Sequence, residues 1–167
     1  RVLFRSFEVF RASDVLPNQL GENFISALHT ARDGALWIGT NQTGLYVLRQ
    51  TNVYGKANFE HFLSVEGDER SLSSNSISSI IEDKNGAMWI ATDRGASRFD
   101  GIDASGKAQF TNFRRIPNAP DRSLAGDLVY ALYQDRAGVM WIGTESGLTR
   151  LDPKTGLTKI YHRSEEH

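Results

Sequence analysis

Along the chain, short apolar runs rich in β-branched and aromatic residues alternate with clusters of Gly, Asn and Asp. Such punctuation marks strands joined by tight hairpins. Over 77–114 it predicts strands at Ile77 to Glu82, Ala87 to Thr92, Ala96 to Asp100 and Gln109 to Arg114. The expected connections are Asp83-Lys84-Asn85-Gly86, Asp93-Arg94-Gly95 and a longer Gly101 to Ala108 loop, which leave no room for long helices. Three strands carry consecutive apolar residues: Leu36-Trp37-Ile38, Met88-Trp89-Ile90 and Met140-Trp141-Ile142. Both faces of those strands are therefore expected to be buried, since a strand with one wet face alternates.

The pattern repeats. Trp37, Trp89 and Trp141 lie 52 residues apart, within GALWIGT, GAMWIAT and GVMWIGT. The same interval links Leu20, Leu72 and Leu124, then Ile25, Ile77 and Val129, then Leu28, Ile80 and Leu132. An outer element recurs as Phe7 and Phe10, Phe59 and Phe62, Phe110 and Phe113, with Thr158 to Tyr161 as a weaker fourth copy. Four antiparallel strands per repeat, with a Gly and aromatic signature, are the mark of a β-propeller blade. The expected fold is thus all-β: a propeller fragment spanning 1–167, with blades at 16–62, 68–113 and 120–162 and the outer strand of a preceding blade at 7–10. Gly39, Ala91 and Gly143 follow the apolar triplets, and Ala27, Ser79 and Ala131 occupy equivalent inner sites. Small residues suit the crowding of blades toward an axis. Three blades do not close a ring, and four to eight would take on the order of 210 to 420 residues. The remaining blades of the same chain are the expected partners; alone, the piece should expose two apolar blade faces and associate.

In the third copy, Asp135, Gly138, Trp141, Ile142, Gly143, Thr144, Gly147 and Leu148 spell D-x-x-G-x-x-W-I-G-T-x-x-G-L. This string resembles the two-component regulator propeller repeat, as do the linkers RSLSSNSI at 70–77 and RSLAGDLV at 122–129. The resemblance implies the extracytoplasmic sensor region of a bacterial membrane signalling protein, ahead of a membrane helix and a kinase or cyclase, dimeric at full length. It implies a sensor and not an enzyme, with an oligosaccharide as the ligand class. Three departures mark individual blades: Ala31 stands where the other copies have Asp83 and Asp135, an insertion places Gly44 one residue late, and Ala91 and Ala96 replace Gly and Leu.

Composition narrows the chemistry. Lys plus Arg number 19 against 20 Asp plus Glu, a net charge of -1, which disfavours nucleic acid and anionic membrane surfaces. With 40% hydrophobic residues a folded core is expected. No Cys is present, so disulfides and thiolate chemistry are absent. The longest apolar runs, such as Leu128 to Tyr133, fall far short of the roughly 20 residues that span a bilayer. The chain starts at Arg1 without a leader pattern, and is expected to be a piece of a longer one.

Three motifs bear on chemistry. The Trp triplet could stack on sugars, but each Trp lies between apolar neighbours and reads as blade core. Asp83 to Gly86 resembles the opening of a calcium loop, yet the twelfth position holds Arg94 where Glu is needed, so a hairpin is expected. The Asp, Gly and Trp combination is similar to the sialidase Asp-box, but the spacing differs and hydrolysis needs two carboxyl groups about 5 to 10 Å apart. His29, His61, His162 and His167 share no metal-ligand spacing. No catalytic residue, metal or cofactor is signalled. Asn41-Gln42-Thr43 fits the glycosylation acceptor pattern and reads as a turn.

In an up-and-down blade, the linker into the inner strand and the turn between the second and third strands share one end. The non-repeating polar residues collect there: Asn41, Gln42, Asp93, Arg94, Glu145 and Ser146 on turns, Arg70 and Arg122 on linkers. Groups that differ between blades are unnecessary for the fold and can orient a ligand in a concave mouth. The expected function is ligand sensing on the periplasmic or extracellular side. The alternatives are a secreted or surface protein-binding scaffold and, less favoured, a propeller lyase or glycosidase.

Overall fold

A computed structural model describes residues 9–12, 20–51 and 57–164. Twelve strands follow one another: β1 (Ile25–Thr30), β2 (Leu36–Thr40), β3 (Leu45–Thr51), β4 (Ala57–Phe62), β5 (Ile77–Glu82), β6 (Met88–Thr92), β7 (Gly95–Ile102), β8 (Ala108–Phe113), β9 (Val129–Gln134), β10 (Met140–Thr144), β11 (Gly147–Leu151) and β12 (Thr158–Tyr161). They form three four-stranded antiparallel meanders in chain order. These are successive blades of a propeller fragment. The outer strand expected at 7–10 lies mostly outside the described residues, but Phe10 packs edge-on against Phe59, with ring centroids 5.6 Å apart.

The second blade matches the expected strands to within a residue or two. β7 extends to Ile102 because Gly101, at φ 116°, forms a bulge opposite Gln109 and lets pairing resume past the expected end. The hairpin at Asp83 is built by its side chain. Oδ1 accepts the Asn85 and Ala87 N–H groups at 2.9 Å, and Oδ2 accepts the Trp89 indole N–H at 2.8 Å. Asp135 repeats all three bonds toward Ala137, Val139 and Trp141. Gly86 and Gly138 take φ of 84° and 89°, where a side chain is strained.

The core lies between blades. Trp37, Leu45 and Val47 on the following face of the first blade pack against Leu72, Ile77, Ile80, Met88 and Phe110 of the second. Trp89, Ala91 and Ala96 meet Leu124, Val129, Met140, Ile142 and Leu151 of the third in the same way. Trp37 and Trp89 are buried as core residues, whereas Trp141 is half-buried because no blade among the described residues covers the third sheet. A Cβ at Gly39 would lie 2.5 Å from Ile77 Cγ2, which is the crowding expected at that position.

Candidate functional site

Each blade binds its turn between the second and third strands to its own linker by one backbone bond. Asn41, Asp93 and Glu145 donate N–H to the carbonyls of Phe24, Ser76 and Leu128, at 3.3, 3.3 and 3.2 Å. The turn then reaches the next linker, Gly44 N–H to Asn75 O at 2.9 Å and Gly95 N–H to Asp127 O at 2.6 Å. Turns and linkers therefore share one end, as the blade topology requires.

Each linker is also caught from below by a buried hydroxyl. Gly21, Ser73 and Ala125 donate N–H to Tyr46 Oη, Ser97 Oγ and Thr149 Oγ1 at 2.8, 2.9 and 2.8 Å. Ser97 Oγ in turn donates its O–H to Asn112 Oδ1 at 2.6 Å, and Asn112 Nδ2 donates back to Ser71 O at 2.7 Å. The backbone of the rim is thus held by hydrogen bonds.

A polar open groove of about 1210 Å³ lies over the second blade. Its walls include Asn41, Gln42, Asn75, Asp93, Arg94 and Arg114. Five of the eight rim residues named above (Asn41, Gln42, Arg70, Asp93 and Arg94) line it. Among the described residues, nothing partners the Arg94 guanidinium or the Asp93 carboxylate, and both residues are exposed. Charges of both signs line the groove, with Glu66, Asp68 and Glu69 at its other end. Lys107 Nζ, 2.7 Å from Asp68, holds that carboxyl below the ordinary carboxylate range by its hydrogen bond.

Arg70 lines the groove at its outer side. Its guanidinium donates to Gln109 Oε1, Thr111 Oγ1 and Asp100 Oδ2 at 3.3, 3.3 and 3.2 Å, on the outer strands. Burial pushes the Asp100 carboxyl up, but hydrogen bonds from Thr111 and Arg98 outweigh it and hold it low. Arg122 reaches outward likewise, toward Gly156. Glu145 turns back to its own linker, accepting Leu128 N–H at 3.0 Å, and Ser146 borders a separate groove of about 610 Å³ on the third blade. Sequence reasoning passed over Ser64, Asn75, Arg114 and Arg115, which line the main groove. Asn75 lies within the quoted linker, and its Oδ1 accepts Ser64 N–H at 2.7 Å.

Residues 19–42, 71–94 and 123–146 match the two-component regulator propeller family. The three repeats belong to that family. Each matched segment of the regulator propeller runs from the linker through the first two strands to the rim turn, so the family unit contains the framework of the groove. No curated protein matches the chain. Among solved structures, the extracellular domain of the hybrid two-component system BT3049 from B. thetaiotaomicron is similar at 21% identity and a TM-score of 0.69, over 87% of this chain and 19% of its own. That of the one-component system BT4673 from the same organism gives 25% and 0.64, over 90% and 19%. Virginiamycin B lyase from Staphylococcus aureus gives 16% and 0.52, over 86% and 42%. The chain therefore spans about a fifth of the length of the two sensor-system domains. Its propeller fold is shared with both of these extracellular domains and with the lyase. Among the described residues no helix is long and apolar enough to cross a membrane, and no group of His, Asp and Glu is placed to hold a metal ion.

Proposed function

We propose that this regulator propeller is the ligand-sensing part of a bacterial membrane signalling protein, on its periplasmic or extracellular side, and that it works without catalysis. The ligand is an oligosaccharide or a similar small, polar, uncharged molecule. The observation that carries this reading is the groove over the second blade, where Asn41, Gln42 and Arg94 differ in kind from their counterparts in the other blades while the bonds beneath them repeat. Amide, hydroxyl and guanidinium groups suit the hydroxyls of a neutral polyol. Charges of both signs along the wall remove the single-sign field that a strongly ionic ligand would use. Occupancy would pass to a transmitter through blade packing in a dimeric full-length protein.

Isothermal titration calorimetry of this chain against neutral oligosaccharides of varied linkage tests the proposal. The expected result is binding without product formation, weakened about tenfold or more by Arg94→Ala through loss of charge-assisted hydrogen bonds. Release of a shortened or unsaturated product would make the protein an enzyme. Capture of a protein partner, with no saccharide bound, would make it a scaffold.

A further inference from the structure

The two linkers that border the groove carry the same turn. Val65-Glu66-Gly67-Asp68 and Ile116-Pro117-Asn118-Ala119 each close on a backbone bond, Asp68 N–H to Val65 O at 3.1 Å and Ala119 N–H to Ile116 O at 3.4 Å. The third residue is left-handed in both, Gly67 at φ 80° and Asn118 at φ 68°, where Gly and Asn are the favoured residues. A buried serine fixes the first residue from its other side: Val65 N–H donates to Ser71 Oγ at 2.9 Å and Ile116 N–H to Ser123 Oγ at 2.7 Å. The backbone at Val65 and Ile116 is therefore set by the fold, whereas their side chains are not used by it. They are 53% and 44% exposed, and among the described residues they stand in no core cluster. Both line the groove.

Each of these apolar side chains has an N–H donor beside it. Asn75 Oδ1 accepts the Ser64 N–H at 2.7 Å, which sets the Asn75 amide next to Val65, and among the described residues nothing partners its Nδ2. Arg115 precedes Ile116. Its backbone N–H is taken by Asp127 Oδ1 at 2.8 Å, while its guanidinium is exposed and, among the described residues, unpartnered. Asp93, on the same groove, offers an acceptor. A small apolar contact next to an N–H donor, with an acceptor within the groove, matches the acetamido group, which joins a methyl to a carbonyl and an N–H in one plane. A sugar bearing hydroxyls alone would leave Val65 and Ile116 against water, and a deoxy sugar has a methyl without the adjoining carbonyl and N–H. Resting on the sensing reading above, we infer that the groove takes an oligosaccharide of N-acetylated amino sugars whose acetamido methyls pack on Val65 and Ile116.

Calorimetry of the whole chain with matched sugars provides the test. The probes are β-linked oligomers of N-acetylglucosamine and of glucose with the same linkage and length, together with the monomers N-acetylgalactosamine and galactose, which remove any dependence on linkage. The acetamido member of each pair is expected to bind about tenfold or more tightly, through one buried methyl and one further hydrogen bond. Val65→Ser and Ile116→Ser should each cut that preference about threefold or more and leave the affinity for the glucose oligomer unchanged. A measurement on the natural chain covers the case in which the variants do not fold: saturating the Val65 and Ile116 methyl protons should transfer magnetisation to the acetamido methyl of the bound sugar. Equal affinity within the pairs, an undiminished preference in both folded variants, or transfer from neither methyl overturns the inference and leaves the sensing reading standing. Failure of every sugar to bind removes the sensing reading and the inference together.

Discussion

Trp89 and Trp141 each deliver the indole N–H to an Asp carboxylate, whereas Trp37 Nε1 is buried without an acceptor because Ala31 stands at the Asp position. The turn backbone around Ala31 is otherwise the same, with Gly34 N–H on the Ala31 carbonyl at 2.9 Å as Gly86 N–H is on that of Asp83 at 3.0 Å. An unsatisfied buried donor costs about 1–3 kcal/mol, so Ala31→Asp should stabilise the protein by about 1 kcal/mol. The substitution is best combined with Asp33→Asn to avoid two facing carboxylates. Urea unfolding midpoints and slowed exchange of the Trp37 indole proton check this. Asp83→Ala removes the acceptor of three N–H groups at a buried site and should cost about 2–3 kcal/mol. Asp135→Ala, on the open sheet, should cost less. The Trp141 hydrogen bond holds the Asp135 carboxyl below its ordinary value against a smaller opposing effect of burial. A depressed folded pKa contributes stability that is complete above about pH 4, the unfolded Asp value, and is lost as pH falls through the folded value. Acid unfolding of the Asp135→Asn variant should therefore lack that part of the pH dependence below pH 4, which circular dichroism at stepped pH measures.

At the scale of elements, the linker depends on one relay. Ser97, fully buried, accepts from the Ser73 amide and donates to Asn112, which closes back on the linker at Ser71. Ser97→Ala should destabilise by about 1–3 kcal/mol through the orphaned amide and amide oxygen. It should also speed exchange at Ser73 while leaving Ala125, held by Thr149, untouched. Much of this element structure was legible beforehand. A period of 52 locates hairpins, buried Trp residues and the shared end of turns and linkers because each follows from local chemistry that recurs. Ala31 already signalled the odd Trp. The destination of Arg70 was not legible, since Asp100, Gln109 and Thr111 converge on it only through the pairing of β7 with β8 beyond the Gly101 bulge. The partner of Glu145 was not legible for a similar reason. A carboxylate on a turn looks free in sequence, but Gly126 leaves room for it, since a Cβ there would lie 2.5 Å from Oε1.

At the scale of the molecule, stability comes from blades fitting one another, and the fit is a matter of paired sizes. Gly39 faces Ile77 in the first interface, and Ala91 shares a cluster with Val129 in the second. One methyl gained on the earlier blade accompanies one carbon lost on the later, so each junction keeps its volume. In a close-packed interior that compensation has a measurable consequence. Gly39→Ala alone pushes a methyl to within 2.5 Å of Ile77 Cγ2, and should cost about 1–3 kcal/mol by overpacking. Ile77→Val alone leaves a methyl-sized gap and should cost about 0.5–1.5 kcal/mol. Together they recreate the pair of the second interface: valine keeps Cγ2, but the space vacated by Cδ1 lets the side chain turn away from the new methyl, so the pair should cost less than Gly39→Ala alone. A double-mutant cycle by urea denaturation reads the difference, and residues in contact commonly couple by about 0.5–3 kcal/mol. Simple additivity would mean that sheets slide to absorb the methyl. The blades would then be loosely stacked, and a ligand at the rim could not act on the far end of the molecule through their packing.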